Sequence, residues 1–140
     1  GTPQLVAPGC YDLVDFVGWQ PTPAQLEGRE THAHNRLLTS AMLNAAERRQ
    51  VAQVICDKLA TAQAPVAMVL PTGGCNEWDR PGAPLHDAEG LGAFCDEMRK
   101  SCPDGVELHE LDCHINDTEF TDRVLEILDD WIVAGVVRRE

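Results

Sequence analysis

Apolar runs bounded by turn residues predict a small number of short strands. The clearest is 65–71, which is apolar throughout, as expected of a strand that is covered on both faces. Three further segments are predicted strands: 3–8, 30–35 and 106–111. Glycine and proline residues or polar clusters close these segments.

Apolar residues at helical spacing predict three helices between and after these strands. The first extends from Asn44 to about Ala62, and Asn44 with Glu47 forms an Asx-type variant of the capping box. Asp87 is predicted to cap the second helix, and Asp117 or Thr118 the third. The apolar face of the second helix contains Leu91, Phe94, Cys95 and Met98. The apolar stripe of the third contains Phe120, Val124, Ile127, Leu128, Trp131 and Ile132.

The alternation of strands and helices predicts an α/β fold over residues 1–140. It indicates a single domain with a Rossmann-like parallel sheet of about four strands and flanking helices. Two Gly- and Pro-rich segments, 11–28 and 75–85, are predicted long loops, and such loops are uncommon unless they are functional. Sheets typically have about 5–6 strands. We therefore expect an incomplete domain, either part of a longer protein or completed by another subunit.

The composition narrows the classes of partner. The formal charge of −12, from 23 acidic and 11 basic residues, disfavours binding to nucleic acid or to anionic membranes. No apolar run approaches the ~18 residues of a membrane span, and no leader pattern is visible. The six cysteines lack C-x-x-C spacing and are expected to be reduced thiols. These features predict a soluble cytoplasmic protein.

Polar residues gather where the predicted strands end. Ligands of open parallel sheets bind beyond the carboxyl ends of the strands, so we expect these residues to surround one crevice. The candidate ligand-binding residues are Gly9, Asp12, His34, Asn35, Thr72, Gly73, Gly74, Asp79 and Asn116. Asp112 and His114 are the candidate catalytic pair, because an Asp–His pair can perform general acid–base chemistry.

Structural alternatives exist for each of these groups. Thr72-Gly73-Gly74 could admit a phosphate or carboxylate to backbone N–H groups, or could be a tight turn, and it matches no nucleotide motif. Asn116 or Asp117 could simply cap the last helix. For Asp112 and His114, the structural and functional interpretations carry equal weight.

Metal and thiol chemistry are weaker alternatives. His32 and His34 have strand spacing, which directs both rings to one side, and His114 with Asp112 could complete a site. No metal-binding signature supports this arrangement, and no metal is predicted. Nucleophilic catalysis by Cys75 or Cys10 lacks a local signature as well.

Four segments carry a family resemblance: PQLVAPGCYDLVDF, EGRETHAHN, VAMVLPTGGCNEWDRPGAPLHDAEG and ELHELDCHIND. They resemble, in order and spacing, the second half of proteins related to the tomato mosaic virus resistance protein, whose members are usually described as ATP-binding. The resemblance implies two Rossmann-like domains in the full protein, with this chain supplying most of the second. The family's nucleotide-binding loop, of the G-T-x-D-T-K type, lies in the part that this chain does not contain. ATP is therefore not assigned, and the cofactor is unknown.

The chain departs from the family pattern at two places. Arg36 stands where the family usually has proline, and Met42 and Leu43 stand near the position of an expected Arg-Thr pair. The family's L-G-G-x-S turn is replaced by the segment from Thr72 to Asn76. If that arginine binds an anion in relatives, the activity of this copy is altered.

Three functions follow as hypotheses. The leading one is a small-molecule-binding domain that acts with a nucleotide-binding partner domain or subunit and forms homo-oligomers. The second is an enzyme acting on a phosphorylated or carboxylated metabolite, with His114 as acid–base. The third is a protein-interaction or assembly module, which predicts an exposed apolar patch at Trp19 or Trp78.

Overall fold

The computed structural model describes residues 1–137. Six strands and three helices make up its regular structure, with a short 3₁₀ turn at Ala24–Leu26. The strands are β1 (Gln4–Val6), β2 (Leu13–Val17), β3 (Thr31–Ala33), β4 (Leu38–Met42), β5 (Val66–Pro71) and β6 (Val106–Leu111). The helices are α1 (Ala45–Leu59), α2 (Ala88–Ser101) and α3 (Thr118–Val133).

The core is built around a parallel sheet of order β1-β5-β6. The central strand β5 is buried at every position because helices cover both of its faces. Its alternate side chains divide between two clusters, as strand geometry requires. On one face, Val66, Met68 and Leu70 pack with residues of α1 and α2. On the other, Ala67 and Val69 pack with Phe120, Ile127 and Trp131 of α3. The α/β fold with flanking helices is thus confirmed.

The helices begin where the sequence predicts. The Asn44 side chain accepts the Glu47 N–H at 3.0 Å, and Glu47 accepts the Asn44 N–H at 2.9 Å, so the predicted capping box is present. Asp87 accepts the Gly90 N–H at 2.9 Å and caps α2. Asp117 occupies the N-cap position of α3, yet its side chain makes no capping bond. That carboxylate instead accepts the His114 N–H at 2.8 Å and pairs with Arg80.

Two predictions about the first third of the chain are wrong in part. Segment 30–35 does contain a strand, β3, but this strand belongs to a separate antiparallel sheet of order β2-β4-β3. The parallel sheet of the described residues therefore has three strands, not about four. Segment 11–28 is not one loop, since it holds β2 and the 3₁₀ turn, and strand β4 was not predicted. Antiparallel strands with one solvated face carry polar residues such as Asp15 and Ser40. The sequence of such a strand therefore resembles that of a loop.

The antiparallel sheet is joined to the loops that leave the parallel sheet. The Leu43 N–H donates to the Asp12 carbonyl at 2.8 Å, and Trp78 lies 4.6 Å from the His32 ring, centroid to centroid.

None of the helices within residues 1–137 is both long and apolar enough to cross a bilayer.

Candidate functional site

The loops that leave β1, β5 and β6 meet at the carboxyl edge of the parallel sheet. The Cys10 N–H donates to the Cys75 carbonyl at 3.0 Å, which joins the first loop to the second. The Gly73 N–H donates to the Cys113 carbonyl at 2.9 Å, and the Ile115 N–H donates to the Gly74 carbonyl at 3.0 Å. These bonds draw the three loops together because parallel strands end at the same edge.

Two glycines permit this close approach. A Cβ at Gly73 would lie 2.7 Å from the Cys113 carbonyl carbon. Gly74 has a φ of +135°, and a Cβ there would lie 2.5 Å from His114 Cδ2 and 2.6 Å from Asp79 Oδ1. Any side chain at Gly74 would therefore collide with the polar residues of the site as well as strain the backbone. The tight-turn interpretation of this segment describes its geometry well.

A buried polar cluster lies below the glycine turn. Asp12 Oδ2 accepts the Asn76 side-chain amide at 2.8 Å, and its Oδ1 lies 3.3 Å from Cys75 Sγ. Asp79 Oδ2 accepts the backbone N–H groups of Cys75 and Asn76 at 2.6 and 3.2 Å. All four side chains are buried. We call Asp12, Cys75, Asn76, Asp79 and His114 the buried polar cluster.

His114 completes this cluster with both ring nitrogens engaged. The Asn116 N–H can only donate, so His114 Nδ1, at 3.0 Å, accepts. Nε2 therefore carries the proton and donates toward Asp79 Oδ1 and the Asn76 carbonyl, each at 2.8 Å. The ring is only 2% exposed. The predicted acid–base role of His114 stays a prediction that requires the ring to give up one of these partners.

The two loop cysteines are held in the thiol form. Burial raises the pKa of the Cys75 thiol, and the carboxylates of Asp12 and Asp79 raise it further. Partial desolvation, as the largest cause, and the carboxylates of Asp12 and Asp79 also raise the pKa of the Cys10 thiol. A thiolate nucleophile at neutral pH is disfavoured at both positions.

Not all predicted residues face the same space. Asp112 is exposed. Asn35 forms an Asx turn between β3 and β4, where its Oδ1 accepts the Leu37 and Leu38 N–H groups. His34 contacts the Trp78 ring edge-on, at 5.2 Å between centroids, next to a cavity of about 220 Å³ that Cys10 also lines.

The other predicted residues lie at the loop junction itself. A Cβ at Gly9 would lie 3.3 Å from Ile115 Cδ1, and the Thr72 hydroxyl donates to the Leu111 carbonyl at 3.1 Å. The Asn116 side chain donates to Glu77 at 3.0 Å. Most of the predicted set is thus brought together, except that Asp112 is exposed and Asn35 lies in the turn between β3 and β4.

An open cavity of about 350 Å³ adjoins this junction between the end of β5 and the start of α2. It is lined by Thr72, Gly73, Pro81, His86, Ala88, Leu91, Gly92, Cys95 and Arg99, which we call the α2 crevice. None of these residues is acidic, in a chain whose formal charge is −12.

His86 is a functional candidate that the sequence analysis did not select. Its Nδ1 lies 2.8 Å from the Asp79 carbonyl, which can only accept, so Nδ1 carries a proton. Within residues 1–137 its Nε2 has no hydrogen-bond partner, and the residue is exposed at the rim of the crevice. The sequence signal that could have identified it is its position in the third family-like segment, VAMVLPTGGCNEWDRPGAPLHDAEG.

The histidine metal site, a weaker alternative in the sequence analysis, does not form among residues 1–137. Among the described residues, one group of His, Cys, Asp or Glu side chains brings three ligand atoms within 4.8 Å of one another. Its members are Asp12, Cys75 and Asp79. His32, His34, His114 and Asp112 are not brought together in this way. The set of side chains that could hold a metal is therefore different from the one that sequence spacing suggested.

Fold and site geometry together define an α/β domain with an open crevice at the carboxyl edge of a short parallel sheet. Residues 1–132 match the C-terminal domain of the uncharacterised protein family UPF0261, and the chain belongs to this family. The resemblance drawn from the four sequence segments is confirmed at this level.

Relatives extend from bacteria to a plant. The chain is 50% identical over 137 residues to a UPF0261 protein of Brucella melitensis, covering 98% of this chain and 33% of that protein. It is 30% identical over 121 residues to a UPF0261 protein of Clostridium tetani, covering 86% and 30%. With the ToMV resistance protein Tm-1 of Solanum lycopersicum it shares 26% identity over 126 residues, covering 89% and 17%. The chain thus spans about a third of the length of these bacterial relatives.

Proposed function

We propose that this domain binds a small molecule carrying a phosphate or carboxylate group in the α2 crevice. The observation that carries the proposal is the lining: two side chains that can be cationic, His86 and Arg99, and no acidic one, on a strongly acidic chain. The crevice lies at the carboxyl edge of the sheet, the usual ligand position in open α/β folds.

The geometry of the crevice supports an anionic group in particular. Ala88, the first residue of α2, lines it, and the partial positive charge of this helix end is shared with the capping carboxylate of Asp87. The His86 Nε2 is free to accept a hydrogen bond when neutral and to donate one when protonated. Arg99 pairs with Glu110 and Asp96, so its charge is already neutralised and His86 is the group that would recognise the anion.

A thermal-shift screen with inorganic phosphate, nucleotides and small carboxylates tests the proposal. A ligand at about 100 times its Kd should stabilise the folded chain by about 2.7 kcal/mol. His86→Gln should weaken binding, because it removes the ring whose Nε2 is open to the crevice. A screen in which no such compound stabilises the chain counts against the proposal.

Gly92 allows a sharper test because a Cβ there would meet no atom within 4 Å. Gly92→Leu should fill the crevice and abolish the ligand shift while leaving the fold intact. Gln53→Leu, at an exposed position of α1, is the matched control and should bind as the wild type does. Equal ligand shifts in both variants would place the ligand elsewhere.

A second candidate function, an enzyme on a phosphorylated or carboxylated metabolite, is favoured by the same free His86 nitrogen. Here His86 takes the acid–base role, and His114 holds the loop of Asp79 in place. Loss of turnover in His86→Gln with unchanged ligand affinity would distinguish catalysis from binding alone. Because relatives are about three times as long, a nucleotide-binding partner domain or subunit belongs to this proposal as well.

A further inference from the structure

We infer that Asp12, Cys75 and Asp79 form a binding site for a divalent transition-metal ion such as Zn²⁺. This site is separate from the α2 crevice, since none of the three residues lines that cavity. It lies inside the buried polar cluster, where loops leaving β1 and β5 meet.

The donor atoms are grouped closely enough to be drawn onto one ion. The three ligand atoms all lie within 4.8 Å of one another, and Asp12 Oδ1 is 3.3 Å from Cys75 Sγ. Zinc lies about 2.3 Å from a thiolate sulfur and about 2.0–2.2 Å from a carboxylate oxygen, so tetrahedral ligands stand about 3.5 Å apart. The gap between Asp12 and Cys75 already has nearly this length.

The charge of the cluster is an independent argument. Asp12 is 0% exposed and Asp79 is 8% exposed, yet within residues 1–137 neither pairs with a lysine or arginine. The partners of Asp12 are a thiol and a side-chain amide, and the His114 tautomer beside Asp79 is neutral. Buried carboxylates are normally paired with a cation or coordinated to a metal. A divalent ion supplies the missing positive charge.

The donor types select the class of ion. Magnesium and calcium are bound through oxygen, whereas a thiolate beside carboxylates suits zinc and neighbouring transition metals. On binding, the Cys75 thiol loses its proton to solvent and the sulfur bonds to the metal, with no change of oxidation state.

Neighbouring groups hold the carboxylates in place. The Asn76 amide donates to Asp12 Oδ2, and His114 Nε2 donates to Asp79 Oδ1. Such partners orient metal-bound carboxylates and tune the affinity of the ion. In this arrangement His114 is a positioning residue, which accounts for its burial and its engaged ring nitrogens.

Titration of the metal-free chain with Co²⁺ tests the inference, because a cobalt–thiolate bond gives a charge-transfer band in the near ultraviolet. We expect the band to saturate at one Co²⁺ per chain and to be displaced by Zn²⁺. Cys75→Ser should lose the band, whereas Cys10→Ser, which removes the nearby exposed thiol, should retain it. The site would be overturned if the wild-type chain gave no saturating band. It would also be overturned if the band survived in Cys75→Ser or was lost in Cys10→Ser.

Asp12→Asn serves if Cys75→Ser does not fold, since it keeps the shape of the side chain and removes its charge. Zinc affinity, measured against a chromophoric chelator, should fall by about tenfold or more in this variant; unchanged affinity overturns the site. Gly92→Leu, which fills the crevice, should leave the cobalt band intact. Failure of anion binding and failure of metal binding are therefore separate results.

Discussion

Gly74 shows how a single residue sets the geometry of the site. Its φ of +135° and the 2.5 Å gap between its Cβ position and His114 Cδ2 exclude any side chain without rearrangement. We expect Gly74→Ala to lower the free energy of unfolding by about 2 kcal/mol or more, from backbone strain and overpacking combined. Urea denaturation of the purified chain, followed by circular dichroism, measures this loss.

Gly92→Ala is the matched control for that substitution. Gly92 lies within α2 and a Cβ there meets nothing within 4 Å, so the alanine should stabilise the helix by up to about 1 kcal/mol. We expect Gly74→Ala to lower the free energy of unfolding and Gly92→Ala to raise it. A Gly74→Ala chain as stable as the wild type would mean that the loops leaving β5 and β6 are not packed together as described.

The loops that leave β5 and β6 show which features of the site can be predicted from residue types and which cannot. The sequence predicted that Gly73, Gly74, Asp79 and His114 would lie together, because strand ends mark one edge of a parallel sheet. It could not distinguish the two histidines, because the accepting or donating role of a ring nitrogen depends on the atom opposite to it. His114 Nδ1 accepts a backbone N–H, so its lone pair is occupied. His86 Nδ1 donates to a carbonyl, so the lone pair of its Nε2 stays free.

Helix α1 is fixed at its start by an interaction that depends on pH. Glu47 accepts the Asn44 N–H and forms two hydrogen bonds with Arg29, at 2.6 and 2.8 Å. Arg29, as the largest cause, and the Asn44 backbone lower the pKa of the Glu47 carboxyl. A lowered folded-state pKa contributes stability above the ordinary glutamate pKa of about 4.3, and this is lost as pH falls through the folded value.

We therefore expect Glu47→Gln to be less stable than the wild type at neutral pH, with the difference shrinking as the pH falls below about 4.3. Urea midpoints at a series of pH values measure this convergence. Asn44→Ala, which removes the other half of the capping box, should cost about 1 kcal/mol. That cost should vary less with pH, because asparagine does not titrate. Parallel pH profiles for Glu47→Gln and the wild type would contradict the assignment.

At the scale of elements, the parallel strands and the helices were predictable, whereas strands β2 and β4 were not. Strand β5 is a continuous apolar run and the three helices carry apolar residues at helical spacing, so their burial can be deduced from the local sequence. Strands β2 and β4 pair through Asp15 and Ser40, whose side chains hydrogen-bond at 2.6 Å. Their stability depends on cross-strand partners distant in sequence, which a local pattern does not contain.

At the scale of the whole molecule, the antiparallel sheet carries exposed apolar side chains at one end. Trp19 is 63% exposed and Leu37 is 60% exposed, and the two lie at one end of the sheet, where the Gly18 N–H donates to the Leu37 carbonyl. The assembly hypothesis expected such a residue at Trp19 or Trp78. Trp78 is partly buried against His32 and His34, so Trp19 is the exposed one.

This apolar end leads to the last prediction, that the chain self-associates through Trp19 and Leu37. Neighbouring exposed apolar side chains gain free energy when a second surface covers them. Light scattering over a range of concentrations should give a mass above that of the monomer for the wild type, and the monomer mass for a Trp19→Ser, Leu37→Ser double variant. Leu125→Ser, which removes an exposed apolar residue of α3, is the control and should associate as the wild type does. A wild type that stays monomeric, or a double variant that still associates, would reject this surface; association lost only in Leu125→Ser would assign it to α3.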